Sequence, residues 1–169
     1  MMRNSLIEKI KKIKLIISDV DGILTDGSLY ITSDGGEFKK FTVEDGAACA
    51  FAQLAKLPIA LISGRYSKAT AIRAKEMKIQ FCYQGDLNKM DSYKELCKYY
   101  NVSPDQVLYI GDGYVDIPVM EISGVSFSVS HAPKLVLDCA DHILSKQGGK
   151  GVLMESVELV LSVQKKLSF

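Results

Sequence analysis

The 169 residues read as one α/β domain built on a doubly wound, Rossmann-like parallel sheet, with a β-hairpin projecting from it. Short apolar runs at residues 14–18, 58–62 and 106–110 each stop at a small or acidic residue, the pattern of buried parallel strands. Segments of helical period lie between these runs, and that alternation builds βαβ units. A hydrophobic share of 47% fills one core at this length, and no linker, repeat or low-complexity tract divides residues 1–169.

The chain opens with Leu6, Ile7, Ile10 and Ile13 at helical spacing among Glu8, Lys9, Lys11 and Lys12, an amphipathic lead-in helix over residues 5–12. The first strand, 14–18, ends at Asp19. Residues 28–41 break the βαβ pattern: 28–32 and 37–41 flank Ser33-Asp34-Gly35-Gly36, whose Asp-Gly pair signals the turn of a hairpin. A lone hairpin is marginal in water, so this one is expected to pack on something else, with another subunit as a candidate. Helical period returns at 45–56 through Ala48, Phe51, Ala52, Leu54 and Ala55, and the second strand, 58–62, ends at Ser63-Gly64. A helix over 68–77 carries Ala69, Ile72, Ala74 and Met77, and one over 89–100 carries Met90, Tyr93, Leu96 and Cys97. The third strand, 106–110, ends at Gly111-Asp112. Strands over 124–129 and 142–144 and a helix from 151 to about 165 complete the expected order.

Charge and composition exclude several functions. Lys plus Arg number 21 against 20 Asp plus Glu, so the one-sign field of a nucleic-acid binder is missing. The longest apolar run falls short of a membrane span and no uncharged leader follows the first methionines, so a soluble cytoplasmic protein is expected. Cys49, Cys82, Cys97 and Cys139 lie far apart without a C-x-x-C pair, the usage of reduced thiols rather than of disulfides or zinc.

Ligands of doubly wound sheets bind beyond the carboxyl ends of the strands. Those ends would bring together Asp19 and Asp21, Ser63, and Asp112 with Asp116. Asp19 and Asp21 are two apart, so in extended backbone both side chains face one way. Carboxylates crowded into one cleft hold protons unless a cation neutralises them, and all-oxygen ligation suits Mg²⁺ completed by water and a substrate phosphate. Phosphate donors are at hand in the Ser63 hydroxyl, the backbone at Gly22 and Gly64, and Lys89 as a point charge. Phosphoryl transfer needs this set, with Asp19 as nucleophile and Asp21 as acid and base.

Each piece alone has an ordinary reading. A D-x-D pair is usually a turn or cap, Gly111-Asp112-Gly113 a tight turn and Lys89 a solvated helix residue; their order together carries the argument. Asp138, Cys139, Asp141 and His142 form a metal-like set across a loop-to-strand transition, but without ligand spacing they read as structural, as does His131 in a loop. Arg65, two past Ser63, is placed to meet a carboxylate or phosphate, with a helix cap or surface ion pair as an equal alternative.

D-V-D-G at 19–22 with Thr25 and Asp26 following, S-G-R at 63–65, Lys89, and G-D-x-x-x-D at 111–116 resemble the four ordered motifs of the haloacid dehalogenase-like phosphatases. The likeness runs from about Lys14 to Leu161 and includes F-x-V-x-D-G at 41–46, Y-Q-G at 83–85 and G-G-K-G at 148–151. Within the superfamily it is nearest the capless enzymes of phosphorylated sugar acids, the 3-deoxy-D-manno-octulosonate 8-phosphate phosphatases. The resemblance implies that Asp19 forms an aspartyl-phosphate and that Asp21 protonates the leaving sugar alkoxide, then activates water. It implies that Asp19, the Asp21 carbonyl and Asp112 hold Mg²⁺ with Asp116 behind them, and that Ser63, Gly64, Gly22 and Lys89 bind the phosphoryl group. Arg65, Asp26, Asp45 and Lys150 fall to the substrate. Two positions depart from the family pattern: Gly113 stands where a second acidic residue often follows, and Lys150 where Arg is frequent, which removes a bidentate fork.

Related phosphatases often insert a cap domain. Residues 22–62 hold only the hairpin, a helix and a strand, and residues 64–88 only a helix and a short strand, so no cap domain is expected. An uncapped site is open to water. The resemblance implies a homotetramer, with hairpins 28–41 assembled about an axis and the tail 148–169 reaching an adjacent cleft. Three other readings stay open. N-acylneuraminate 9-phosphate is a rival substrate, disfavoured by Arg65 because relatives acting on nine-carbon acids can carry an acidic residue there. A non-catalytic tetramerisation module would have lost the carboxylates, and a phospho-accepting receiver domain keeps its acidic pair and its acceptor on separate strands.

Overall fold

The computed structural model describes residues 3–166. Along them run α1 (Asn4–Ile10), β1 (Leu15–Ser18), β2 (Tyr30–Ile31), β3 (Glu37–Phe38), α2 (Val43–Leu54), β4 (Ile59–Ser63), α3 (Lys68–Glu76) and β5 (Cys82–Gln84). Then follow α4 (Lys89–Tyr100), β6 (Val107–Ile110), α5 (Ile117–Ile122), β7 (Val125–Val129), α6 (Lys134–Cys139), β8 (His142–Leu144) and α7 (Val152–Val163). The six-stranded sheet has the order β5-β4-β1-β6-β7-β8, with every neighbouring pair parallel. The order reverses at β1, which lies between β4 and β6, the switch point beyond whose carboxyl end ligands of such sheets bind. Ser18 stands opposite Leu61 and Ile110, so Asp19, Ser63 and Gly111 leave the sheet close to one another.

Alternation along the strands feeds two cores. Ile16, Leu61 and Leu108 face the side that α1, α2 and α7 cover with Ile10, Ala48, Ala52, Leu153 and Val157. Leu15, Ile17, Ala60 and Tyr109 face the other side, covered by α4, α5 and α6 through Tyr93, Leu96, Val119, Met120 and Val136. Burial on both faces explains why these strands are continuous apolar runs.

The expected order of elements holds, with local differences that have causes. Helix α2 starts two residues early because the Thr42 hydroxyl accepts the Asp45 N–H and caps it. The hairpin pairs only Tyr30–Ile31 with Glu37–Phe38, since Thr32 to Gly36 are consumed by the turn, where Gly35 has φ +83°. Helices α5 and α6 were not expected: six residues each are too short to display a period. Asp138 and Cys139 therefore end a helix rather than sit in a loop, and Asp138 pairs with Lys134 at 2.8 Å.

Within the tail, α7 buries Val152, Leu153, Val157, Val160 and Leu161 against its own chain, chiefly α2. Of the segment 148–169, residues 167–169 lie outside the described residues. Among the described residues no cap domain interrupts the sheet.

Candidate active site

Asp19 follows β1 directly, and its N–H donates to the Ile110 carbonyl at 2.8 Å, so the sheet itself aims the side chain. Its Oδ1 accepts the Val20 N–H at 2.6 Å, while its Oδ2 lies 2.9 Å from Lys89 Nζ. Lys89 opens α4, is 1% exposed, and also reaches Asp116 Oδ1 at 2.6 Å. Burial at this strand end, reinforced by the Asp116 carboxylate, drives the Asp19 carboxyl well above its ordinary range, with Lys89 opposing the shift.

Gly22 has φ +87°, and a Cβ there would collide with the Asp112 carboxylate. Only glycine lets the loop after β1 turn this tightly beside that acid. Asp112 is pushed up to about 6 by burial and then by Asp116, against the pull of His131 and Lys89. His131, read from sequence as a loop residue, stands with Nε2 3.6 Å from Asp112 Oδ2.

Asp19, Asp112 and Asp116 present oxygens within 4.8 Å of one another, a spacing that suits a cation. Hydrogen bonds sort the three. Asp116 spends Oδ1 on Lys89 and on the Tyr109 hydroxyl at 2.6 Å, and Oδ2 on the N–H groups of Asp112 at 3.1 Å and Gly113 at 2.8 Å. It has little left for a metal and instead clamps the loop after β6. Asp19 and Asp112 are thus the carboxylates with oxygens to offer. Crowded acids held upward in pKa beside the Lys89 ammonium fit Mg²⁺, whose charge would relieve them.

Asp21 stands two residues past Asp19 in the loop after β1, its Oδ1 2.6 Å from Lys39 Nζ. Thr25 closes the loop, its hydroxyl accepting the N–H groups of Gly22 at 3.4 Å and Gly27 at 3.2 Å. The loop is seated from behind by Gly148 and Gly149: the Gly149 N–H donates to Ile23 at 3.0 Å, and a Cβ on Gly148 would strike the Gly22 carbonyl. Ser63, buried at the end of β4, donates its hydroxyl to the Arg65 carbonyl at 3.0 Å. A Cβ on Gly64 would lie 2.8 Å from Leu87.

The four substrate candidates divide. Arg65 is half-exposed at the Ser63 end but is taken up by Glu37 of the hairpin. Asp26 is exposed and accepts the Ser28 N–H at 2.9 Å, which holds its carboxyl below the usual range. Lys150 is exposed on the loop that seats Gly22 and Ile23. Asp45 stands apart: it is 1% exposed, bonded to Thr42 at 2.7 Å and influenced by Leu153 and Arg73, none of which belongs to the carboxylate cluster. It sits buried in the first turn of α2, next to the Thr42 cap.

Sequence reasoning missed Lys39, Glu37 and Tyr109. Tyr109 carried a signal, since a tyrosine inside a buried apolar strand needs a partner for its hydroxyl. A cavity of about 390 Å³ lined by Cys49, Leu57, Pro58, Ile79 and Tyr100 opens at the amino end of β4, away from these acids.

A doubly wound sheet whose successive strand ends present Asp-x-Asp, Ser, and Asp, with Lys at the start of α4, defines the haloacid dehalogenase-like hydrolases. The chain belongs to that family, which its residues 37–155 match. Among its relatives is the 3-deoxy-D-manno-octulosonate 8-phosphate phosphatase of Haemophilus influenzae, 38% identical over 161 residues, 95% of this chain and 89% of the relative. The enzyme of that name from Escherichia coli K12 is 37% identical over 96% of this chain and 86% of its own. The Yersinia pestis 3-deoxy-D-manno-octulosonate 8-phosphate phosphatase superposes with a TM-score of 0.94 at 36% identity, covering 97% of this chain and 89% of that one. The enzyme from Moraxella catarrhalis, solved with magnesium ion, phosphate ion and KDO, gives 0.92 at 34% identity over 96% and 93% of the two chains.

Proposed function

We propose that this chain is a Mg²⁺-dependent phosphatase of phosphorylated sugar acids that converts 3-deoxy-D-manno-octulosonate 8-phosphate to the free sugar acid and phosphate. The observation that carries it is Asp19, fixed between the Val20 N–H and Lys89 and facing Asp112 across Gly22, in a chain related over 95% of its length to an enzyme of that name. Asp19 attacks phosphorus while the ester P–O bond breaks, and the departing alkoxide takes the proton of the Asp21 carboxyl. Water then attacks the same phosphorus and gives its proton to Asp21. The bond to Asp19 breaks, releasing phosphate and restoring the carboxylate. Asp19, the Asp21 carbonyl and Asp112 would hold Mg²⁺, which supplies charge neutralisation at the phosphoryl oxygens. Lys89 adds its ammonium, and Ser63 and Gly64 line the next strand end.

Assembly belongs to the same reading. Leu29, Tyr30, Ile31 and Phe38 are exposed on the hairpin, with Tyr30 and Phe38 stacked 4.9 Å apart, and this apolar surface suits a homotetramer. Free thiols at all four cysteines suit a cytoplasmic setting.

Turnover of sugar-acid phosphates with and without Mg²⁺, with Asp19→Asn as control, tests the proposal. The eight-carbon 8-phosphate is expected to be the best substrate, and Asp19→Asn to lower kcat by roughly 10⁴-fold or more. Preference for the nine-carbon 9-phosphate would move the assignment to that substrate, and unchanged turnover in Asp19→Asn would reject the nucleophile.

A further inference from the structure

Lys39 stands just past β3, yet its side chain is wholly buried, with Nζ 2.6 Å from Asp21 Oδ1 and donating to Thr70 Oγ1 at 3.3 Å. A buried ammonium has lost its hydration and needs fixed partners. Its partners belong to two other elements, the loop after β1 and the first turn of α3. Glu37, two residues earlier, binds Arg65 and accepts the Ser67 hydroxyl at 2.7 Å. The second hairpin strand therefore ties the loop after β1 to the loop after β4 through side chains two residues apart.

Among the described residues the other side-chain hydrogen bond to Asp21 comes from the Thr25 hydroxyl at 3.5 Å, at the limit of such a bond, and the Arg65 charge stands near. We propose that Lys39 is a positioning residue for Asp21. It grips Oδ1, fixes the carboxyl rotamer and leaves Oδ2, which has no hydrogen-bond partner among the described residues, to exchange the proton with the leaving oxygen. The inference rests on the acid–base reading of Asp21. It makes the hairpin part of the chemistry: the strand that carries the exposed apolar surface also aims the proton donor.

The test compares kcat/KM for 3-deoxy-D-manno-octulosonate 8-phosphate, whose alkoxide must be protonated as it leaves, with p-nitrophenyl phosphate, whose phenolate leaves without a proton. Wild type, Asp21→Asn, Lys39→Met and the double variant are measured with saturating Mg²⁺. Asp21→Asn is expected to depress the sugar phosphate selectively. Lys39→Met is expected to do the same to a lesser degree, about ten- to a hundredfold, with KM little changed. The double variant is expected to be no worse than Asp21→Asn alone. Equal losses of Lys39→Met on both substrates, or a rise in KM alone, would overturn the inference while leaving Asp21 as the acid. Absence of selectivity in Asp21→Asn would overturn the acid reading and the inference with it. Should Lys39→Met lack a cooperative melt at the assay temperature, Lys39→Gln, which keeps a donor and loses the charge, faces the same comparison.

Discussion

Lys89 gives the site its electrostatic logic. Its ammonium is the buried cation between Asp19 at 2.9 Å and Asp116 at 2.6 Å, and neither the lysine nor Asp116 has appreciable solvent contact. Replacing it with methionine keeps the volume and leaves two buried carboxylates facing each other, one of which must take up a proton. Lys89→Met is therefore expected to lose activity and about 3–5 kcal/mol of stability, the usual cost of removing one partner from a buried pair. Urea unfolding with and without Mg²⁺ checks this, and the ion is expected to recover part of the loss. A stability equal to wild type would mean that the three acids are solvated after all. This cluster was legible in the sequence because each member follows a strand or opens a helix at a recognisable motif. Lys39 was not, because it meets Asp21 only after the hairpin folds back, and nothing in its local sequence marks a buried lysine.

The hairpin is docked by charge more than by packing. Hydrogen bonds from Arg65 and the Ser67 hydroxyl hold the Glu37 carboxyl at about 2, against an ordinary 4.5. A depressed carboxyl stabilises the docked state at pH above its ordinary value, and the contribution fades as pH falls through 4.5 toward 2. Amide exchange in residues 28–41 is accordingly expected to speed up between pH 5 and pH 3 by more than in Glu37→Gln, once the intrinsic exchange rates are divided out. Identical pH profiles in both proteins would show that Glu37 does not hold the hairpin. At this scale the sequence was informative wherever apolar pattern and turn chemistry agreed, as in the sheet and around Asp34-Gly35. It was silent for α5 and α6, and it gave no sign that Asp45 is buried in the first turn of α2, where it accepts the Thr42 hydroxyl.

The hairpin presents apolar side chains to its surroundings, Ile31 being 60% and Phe38 56% exposed. Replacing both with aspartate is expected to reduce a homotetramer to smaller species in sedimentation velocity, with the melting transition of the domain retained. A wild-type chain that sediments as a fully active monomer would remove the assembly from the account. The tail shows why topology at this level was hard to read from sequence. An apolar helix face from Val152 to Leu161 suits a neighbour or its own core equally, and only the position of α2 decides it. The seat that Gly148 and Gly149 provide for Gly22 and Ile23 has a consequence in time. The reacting loop emerges early from the ribosome, but its support is synthesised only after the last strand of the sheet. A contact of such large sequence separation also ranks among the slow ones to form. The loop after β1 thus takes its final seat only once the segment after β8 has folded onto it.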